Sequence, residues 1–579
     1  MKDIHANPQF RRERVKSLNG EWEFEILDTA FQNGLTARKL NGKINVPFCP
    51  ESELSGVGYK DFIVWCAYAK DFSLAQEEIG GRVLLRFGAC DYEATVYING
   101  RRVGQHRGGY SSFCFDVTDF VEEGKNRVFV LVYDDVKEDR PSGKQSFEKE
   151  SFGCFYTRVT GIWQSVWLEF VPRYYIKNVA FYPDPSHSSV RMRAEVIGCG
   201  EMKMEVFYEG RKVGEQSFDV VQYGETVCRL REKHLWELGN GRLYDVELSF
   251  CGDKVFSYFG LRECSFEGEK FILNGKCVFQ RLVLNQGYHP QGLYTVPTEE
   301  EMREEIDMAM RLGFNGARLH QKVFEPYFLY ECDKAGFMVW SELPCWGVDY
   351  TDLSNIGYVL NEWQEIIERD FNHPCIITWC PANEFWTDEF RKNAYVRVCD
   401  MRYVKILYAF TKILDETRPC VDSSGGYHTD TTDIYDFHTY DDIGKTKGYI
   451  RTLQEEKKLV VPLLMPTRAS CKAAEYRGGQ PVIASEYGGI AYNEEETGWG
   501  YTKAATSRDL VTKAAELSRA YMECPHIAGM CYTQLYDIEQ EQNGLYYYDR
   551  KPKMNAEEEN ILRSVLNSEA RIEADAVRR

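Results

Sequence analysis

Two short stretches each place an acid where an apolar run ends. In "HPCIITWCPANEFW", Glu384 follows Asn383 just after "CIITWC", and in "PVIASEYGG", Glu486 closes "PVIAS". Both runs read as buried strands, so each carboxyl group is expected to be partly withdrawn from water beside aromatics such as Trp379 and Tyr487. Two acids in one cleft but in different surroundings can hold different protonation states at one pH. Glycoside hydrolysis needs such a pair: one carboxylate attacks the anomeric carbon while the other protonates the leaving oxygen.

Strands so far apart in sequence can bring the two acids together only across the mouth of a closed sheet. After about Glu263 the pattern alternates strand and helix. "TEEEMREEIDMAMRLGF" opens with Thr298 and Glu301 at capping-box spacing, carries Met302, Ile306 and Met310 on one face, and is closed by Gly313. With "FQRLVLN", "NGARLH", "GFMVWSELP", "CIITWC", "CVDSS", "DIYDFH", "PVIASEYG" and "AGMCYTQLYD" there are about eight strand candidates, the rhythm of a (β/α)8 TIM barrel. An open parallel sheet is the rival, but no Gly-rich phosphate fingerprint supports it. In a barrel the active residues stand at the C-terminal strand ends. That rule selects Arg318, His320, Glu342, Asn383, Glu384, His438, Tyr440, Glu486, Gln534 and Asp537. Glu342 suits an orienting role as well as a catalytic one, and His320 lacks a second histidine at metal-ligand spacing.

Residues 1–172 show short alternating segments. Ala94, Val96 and Ile98 alternate with Thr95 and Tyr97 before the turn pair Asn99-Gly100, which predicts a half-buried antiparallel hairpin in a β jelly-roll sandwich. Residues 173–262 repeat the style on the scale of an immunoglobulin-like β-sandwich, and 263–579 form the predicted barrel. At 579 residues several domains are expected. A formal net charge of -19 excludes the basic patches that nucleic acid or an anionic membrane would require. The N-terminus has no apolar signal region and no long uncharged apolar run occurs, so a cytoplasmic chain without a membrane span is expected. The 19 cysteines are scattered singly without a C-x-x-C pair, as for reduced thiols and not a zinc site.

Taken together, "YTRVTGIWQSVWLE", "LGFNGARLHQ", "HPCIITWCPANEFW" and "PVIASEYGG" resemble glycoside hydrolase family 2, the group containing β-galactosidases, β-glucuronidases and β-mannosidases. The resemblance spans nearly the whole chain. It implies Glu384 as general acid/base, Asn383 as holder of the sugar 2-hydroxyl and Glu486 as nucleophile, with retention of the β-configuration and no cofactor; no metal is expected. Family members that cleave glucuronides carry an Asn-x-Lys ahead of a "DRKPK"-like run, and here the matching positions hold Glu541 and Asn543. A carboxylate in place of that lysine implies a neutral sugar. Galactose-cleaving members use an aspartate where this chain has Phe155, which serves either the pocket or the core; Tyr156 or Arg158 is then expected to reach the pocket. Tyr440 and Gln534 are expected to bond sugar hydroxyls, Trp346 and Trp386 to stack on the sugar, and Asp537 and Arg550 to pair. The expectation is therefore a retaining exo-β-glycosidase with a carbohydrate or glycoside partner, as a monomer or homo-oligomer. The alternatives are β-glucuronidase-type activity with atypical carboxylate recognition, or a non-catalytic carbohydrate-binding protein.

Overall fold

The protein is described by a computed structural model over residues 7–29, 34–135, 139–350, 352–384, 401–425, 428–459, 475–476, 478–493 and 498–577. In the N-terminal region a six-stranded antiparallel sheet (Gly42–Val46, Gly20–Leu27, Trp65–Leu74, Gly124–Tyr133, Glu93–Ile98, Arg101–Arg107) faces a four-stranded one. Between them Trp22, Tyr68, Leu85, Val96, Val130 and Leu168 share a core. The predicted hairpin is present: Ala94, Val96 and Ile98 are fully buried, and Asn99 and Gly100 turn with φ of 51° and 76°, as a type I′ turn demands.

Five antiparallel strands between Tyr175 and Phe259 form a single sheet that folds over itself. The alternating segments "VRMRAEVIG" and "KMEVFY" belong to one element, Ser189–Tyr208. Its first half pairs with Tyr175–Asp184 and its second with Tyr244–Phe250, across an irregularity between Glu195 and Cys199. Gly198 and Gly200, at φ of 111° and 159°, sit at that break. Met192 and Met204, on opposite sides of it, meet in one core with Phe181 and Leu248.

The C-terminal region is a ring of parallel strands. Seven form a ladder in the order Ile376–Cys380, Met338–Glu342, Gly316–Leu319, Gln280–Asn285, Ile527–Thr533, Val482–Gly488 and Tyr435–Thr439. The predicted "CVDSS" strand fills the gap between the two ends: Val421 N–H donates to Trp379 O at 3.1 Å, Ser424 N–H to Ala382 O at 2.9 Å and Asp433 N–H to Cys420 O at 3.2 Å. Every residue of the seven ladder strands is buried, because helices cover one face and packed side chains the other. The first barrel helix, Glu299–Leu312, starts where Thr298 accepts from Glu301 N and ends at left-handed Gly313, as its sequence predicts. The barrel core also takes in Tyr110, Tyr156, Val159 and Trp163 from the N-terminal region, which holds the 139–160 loop against the barrel rim. The 17 described cysteines are all free, and no described helix is long and apolar enough to cross a membrane.

Candidate active site

The two acids meet at the barrel mouth. Register shifts at Phe437/His438 and at Ala484/Tyr487 interrupt the ladder where His438 and Glu486 leave it, and such bulges re-aim side chains. Glu384 has left-handed backbone, φ 42°, a conformation costly for a residue with a Cβ. Its N–H donates to Ser424 O at 2.7 Å, which holds the turn against the closing strand. Gly425 stands beside it, where an added Cβ would lie 2.9 Å from Glu384 Cγ and 3.3 Å from His438, so the small residue leaves room for that pair.

One oxygen of Glu384, one of Glu486 and a ring nitrogen of His438 lie within 4.8 Å of one another. His438 Nδ1 is 2.6 Å from Glu384 Oε1, while its Nε2 is 2.9 Å from Ser424 Oγ and 3.5 Å from Glu486 Oε1. Arg318, fully buried, donates to Glu486 at 3.0 Å, to Asn383 Oδ1 at 2.6 Å and to Glu342 at 2.8 Å. Tyr440 donates its hydroxyl to the other oxygen of Glu486. Burial works to raise the Glu486 pKa, but the positive charges of His438, Arg318 and Lys144 override it and hold the group at about 2. Burial works to lower His438, and the Glu486 and Glu384 charges override that, so its pKa is raised. His320 is driven well below the usual histidine range by burial and by Lys144, which keeps it neutral. The cleft thus holds an ionised carboxylate at Glu486 and, beside Glu384, an imidazole of raised proton affinity.

Eight of the predicted residues converge here: Arg318, His320, Trp346, Asn383, Glu384, His438, Tyr440 and Glu486. Asn383 Oδ1 is taken by Arg318, whereas its buried Nδ2 has no partner among the described residues and is available as a donor. Trp346 Nε1 donates to Asn383 O at 3.2 Å. Glu342 is fully buried, accepts from Arg318 and Gln321 and lies 3.0 Å from His320 Nδ1, so it orients neighbours and does not itself enter the cleft. Gln534, Glu541 and Asn543 form an adjoining buried chain. Gln286 donates to Gln534 at 2.6 Å, Gln534 to Asn543 at 2.8 Å, and Asn543 to Glu541 at 3.0 Å, and Tyr156 donates to the second Glu541 oxygen.

Other expectations change. Arg158 turns away from the cleft and donates to Lys60 O at 2.7 Å. Phe155 belongs to an aromatic cluster, 5.3 Å from both Phe152 and Trp346 between ring centroids. Asp537 and Arg550 do not pair: Lys553 bonds Asp537 at 2.7 Å and Glu305 bonds Arg550 at 2.6 Å, because the last loop folds each toward a different neighbour. Trp386 lies outside the described residues. Sequence reasoning placed His438 only among the strand ends and missed its bridging position. It also missed Gln286, Lys144 and Tyr501, the last stacked on Tyr440 at 3.5 Å. Their only sequence signal was position, near a strand end for Gln286 and in a loop for the other two.

By distance alone, Glu384, His438 and Glu486 could ligate a metal, as could Asp333, His373 and Cys375. Arg318 brings a fixed positive charge to 3.3 Å from His438 and 3.0 Å from Glu486, which opposes a cation at the first trio. In the second, Asp333 already accepts from His373, Tyr258 and the Cys375 N–H.

The description "Glycosyl hydrolases family 2, sugar binding domain" matches residues 60–172, and "Glycosyl hydrolases family 2, TIM barrel domain" matches residues 265–560, more than half of the chain. The chain belongs to glycosyl hydrolase family 2. Similar family-2 proteins include a putative β-glucuronidase of Formosa agariphila, 27% identical over 68% of this chain and 47% of that protein. A β-galactosidase of Thermoanaerobacter pseudethanolicus is 26% identical over 69% of this chain and 53% of its own. The chain therefore spans about half the length of these two curated relatives. Among solved structures, Bifidobacterium dentium β-glucuronidase complexed with coumarin-3-O-glucuronide superimposes with a TM-score of 0.79 at 19% identity, covering 96% of this chain and 97% of that one. The two family descriptions and that superposition agree with the predicted multidomain architecture.

Proposed function

We propose that this chain is a retaining exo-β-glycosidase that removes a terminal β-linked sugar through a covalent glycosyl-Glu486. The observation that carries the reading is the spacing of the acids. Oxygens of Glu384 and Glu486 within 4.8 Å of each other suit the about 5–5.5 Å separation of carboxyl groups in retaining enzymes. An inverting pair stands about 6.5–9.5 Å apart to admit the attacking water between the general base and the sugar.

In the first step the ionised Glu486 attacks the anomeric carbon. The bond to the aglycone oxygen breaks and that oxygen takes the proton from Glu384, leaving Glu384 as a carboxylate beside His438. In the second step Glu384 takes a proton from water, the resulting hydroxide oxygen bonds the anomeric carbon, and Glu486 leaves. His438, 2.6 Å from Glu384, answers its gain and loss of charge, and the free Asn383 Nδ2 supplies a donor for the 2-hydroxyl, whose bonds strengthen as charge develops at the ring. The aromatic cluster of Phe152, Phe155 and Trp346 walls one side of the cleft, in keeping with action at a chain end.

The class of sugar turns on charge. The expectation of a neutral sugar rested on Glu541, but both of its oxygens are engaged by Tyr156 and Asn543, so it serves as part of a polar wall more than as a free acid. The β-glucuronidase names of the Formosa and Bifidobacterium proteins favour a uronide. Glu486→Gln should abolish turnover, while Glu384→Gln should keep slow cleavage of aryl glycosides whose leaving groups need no proton. A 2-deoxy-2-fluoro glycosyl fluoride should add its sugar mass to the Glu486 peptide. Normal turnover by either variant would end the assignment.

A further inference from the structure

Among the described residues three lysines are buried: Lys144, Lys322 and Lys553. Lys322 donates to Gly287 O at 2.8 Å and to Tyr294 O at 2.6 Å, and Lys553 pairs with Asp537 at 2.7 Å. Lys144 is 7% exposed, and its ammonium has no acceptor among the described residues. Buried charges are ordinarily paired, so this exception calls for a partner.

The fold places the ammonium deliberately close to the cleft. Ser142 N–H donates to Trp346 O at 2.8 Å and Gly143 N–H to Pro344 O at 3.1 Å, which docks the loop on the barrel rim. Gly143 has φ 56°, and a Cβ there would lie 2.3 Å from Gln321 O, so only glycine allows so close an approach. The next side chain then runs over Trp346, with Nζ 5.2 Å from the ring centroid. There the charge acts on Glu486, His320 and Cys154.

We propose that Lys144 is the cation that selects the sugar, and that its ligand is the carboxylate of a β-linked uronic acid. This rests on the glycosidase reading above and adds the substrate class. An unpaired ammonium whose charge reaches the nucleophile opposes the positive charge that grows on the sugar ring in the transition state, so a neutral sugar leaves it a liability. A substrate carboxylate cancels that charge and supplies the missing partner. Glu541, whose oxygens are already engaged by Tyr156 and Asn543, competes only weakly for the role of counter-charge.

The test uses the full chain with 4-nitrophenyl β-glucuronide, β-galacturonide, β-galactoside and β-glucoside. The wild type should prefer one uronide by about 100-fold or more in kcat/KM, the range expected when a desolvated charge goes unpaired. Lys144→Met and Lys144→Gln should lower the uronide-to-neutral ratio by at least about 30-fold, and Lys144→Arg should retain most of it, since a cation is kept. Thermal melting checks each variant for folding, and the wild-type preference decides the matter if none of them folds. A wild type that prefers a neutral glycoside, or variants that slow both classes by the same factor, would overturn the proposal. Labelling of Glu486 by a neutral fluoro-sugar alone would overturn the role of Lys144 while leaving the glycosidase intact. Absence of cleavage and of labelling by any sugar would overturn both.

Discussion

Arg318→Met removes the one group that touches the nucleophile, the 2-hydroxyl holder and an orienting acid at once. The guanidinium contacts Glu486 at 3.0 Å, Asn383 at 2.6 Å and Glu342 at 2.7 Å, all with negligible exposure. Glu486 is held at about 2 against an ordinary 4.5, a preference for the ionised form of about 3 kcal/mol, supplied against burial by His438, Arg318 and Lys144. Removing one of three cations should return on the order of 1 kcal/mol of it, moving the Glu486 pKa up by about one unit. The sign follows from the depressed pKa. In the wild type this group's contribution to stability is present above about 4.5 and is lost as pH falls toward about 2. The variant loses it at higher pH. Leaving Glu342 buried without its cation costs a further about 3–5 kcal/mol of stability. We expect kcat/KM to fall about 100-fold or more at pH 7 through misplacement of Glu486 and Asn383. The acid limb of the pH profile should rise, and urea unfolding should show the stability loss at pH 7. An acid limb at the wild-type position, with activity within a few-fold of it, would refute the reasoning that Arg318 tunes and holds the nucleophile.

Asn383→Ala should cost about 100-fold in kcat/KM on a full substrate but little on a 2-deoxy glycoside with the same leaving group, because its free Nδ2 would then have nothing to grip. Equal losses on both would assign Asn383 to structure alone. Glu362 accepts from Tyr110 N at 2.9 Å, and burial pushes its pKa up to about 8; burial likewise raises Glu51 to about 7. Groups raised in the folded state contribute stability that is complete below about 4.5 and is lost as pH rises through about 7 to 8. Chemical denaturation should therefore show a loss on the order of 3 to 5 kcal/mol per group between about pH 4.5 and 8, and the Glu362→Gln, Glu51→Gln double variant should be markedly flatter. An unchanged pH slope in that variant would show that other groups set it.

Whatever depends on near neighbours in the chain was legible in the sequence. Apolar runs bounded by polar residues marked all eight barrel strands, Thr298 and Gly313 marked a helix's two ends, and the strand-end rule picked out Glu384, Glu486, Asn383, Arg318 and Tyr440 before any distance was known. Periodicity could not show that Gly198 and Gly200 let one strand fold over itself, because two short alternating segments and one bent strand have the same pattern. Only the closed ring decided that His438 stands between acids 54 and 48 positions away, that Glu541 is occupied by Tyr156 across 385 positions, and that Asp537 and Arg550 take separate partners. Lys144 is the clearest case. In sequence it is an ordinary loop lysine, and only the docking of that loop on the barrel withdraws it from water over Trp346 and leaves it without an acceptor among the described residues. Side-chain charge is encoded locally, whereas its partners and its solvation are properties of the packed whole.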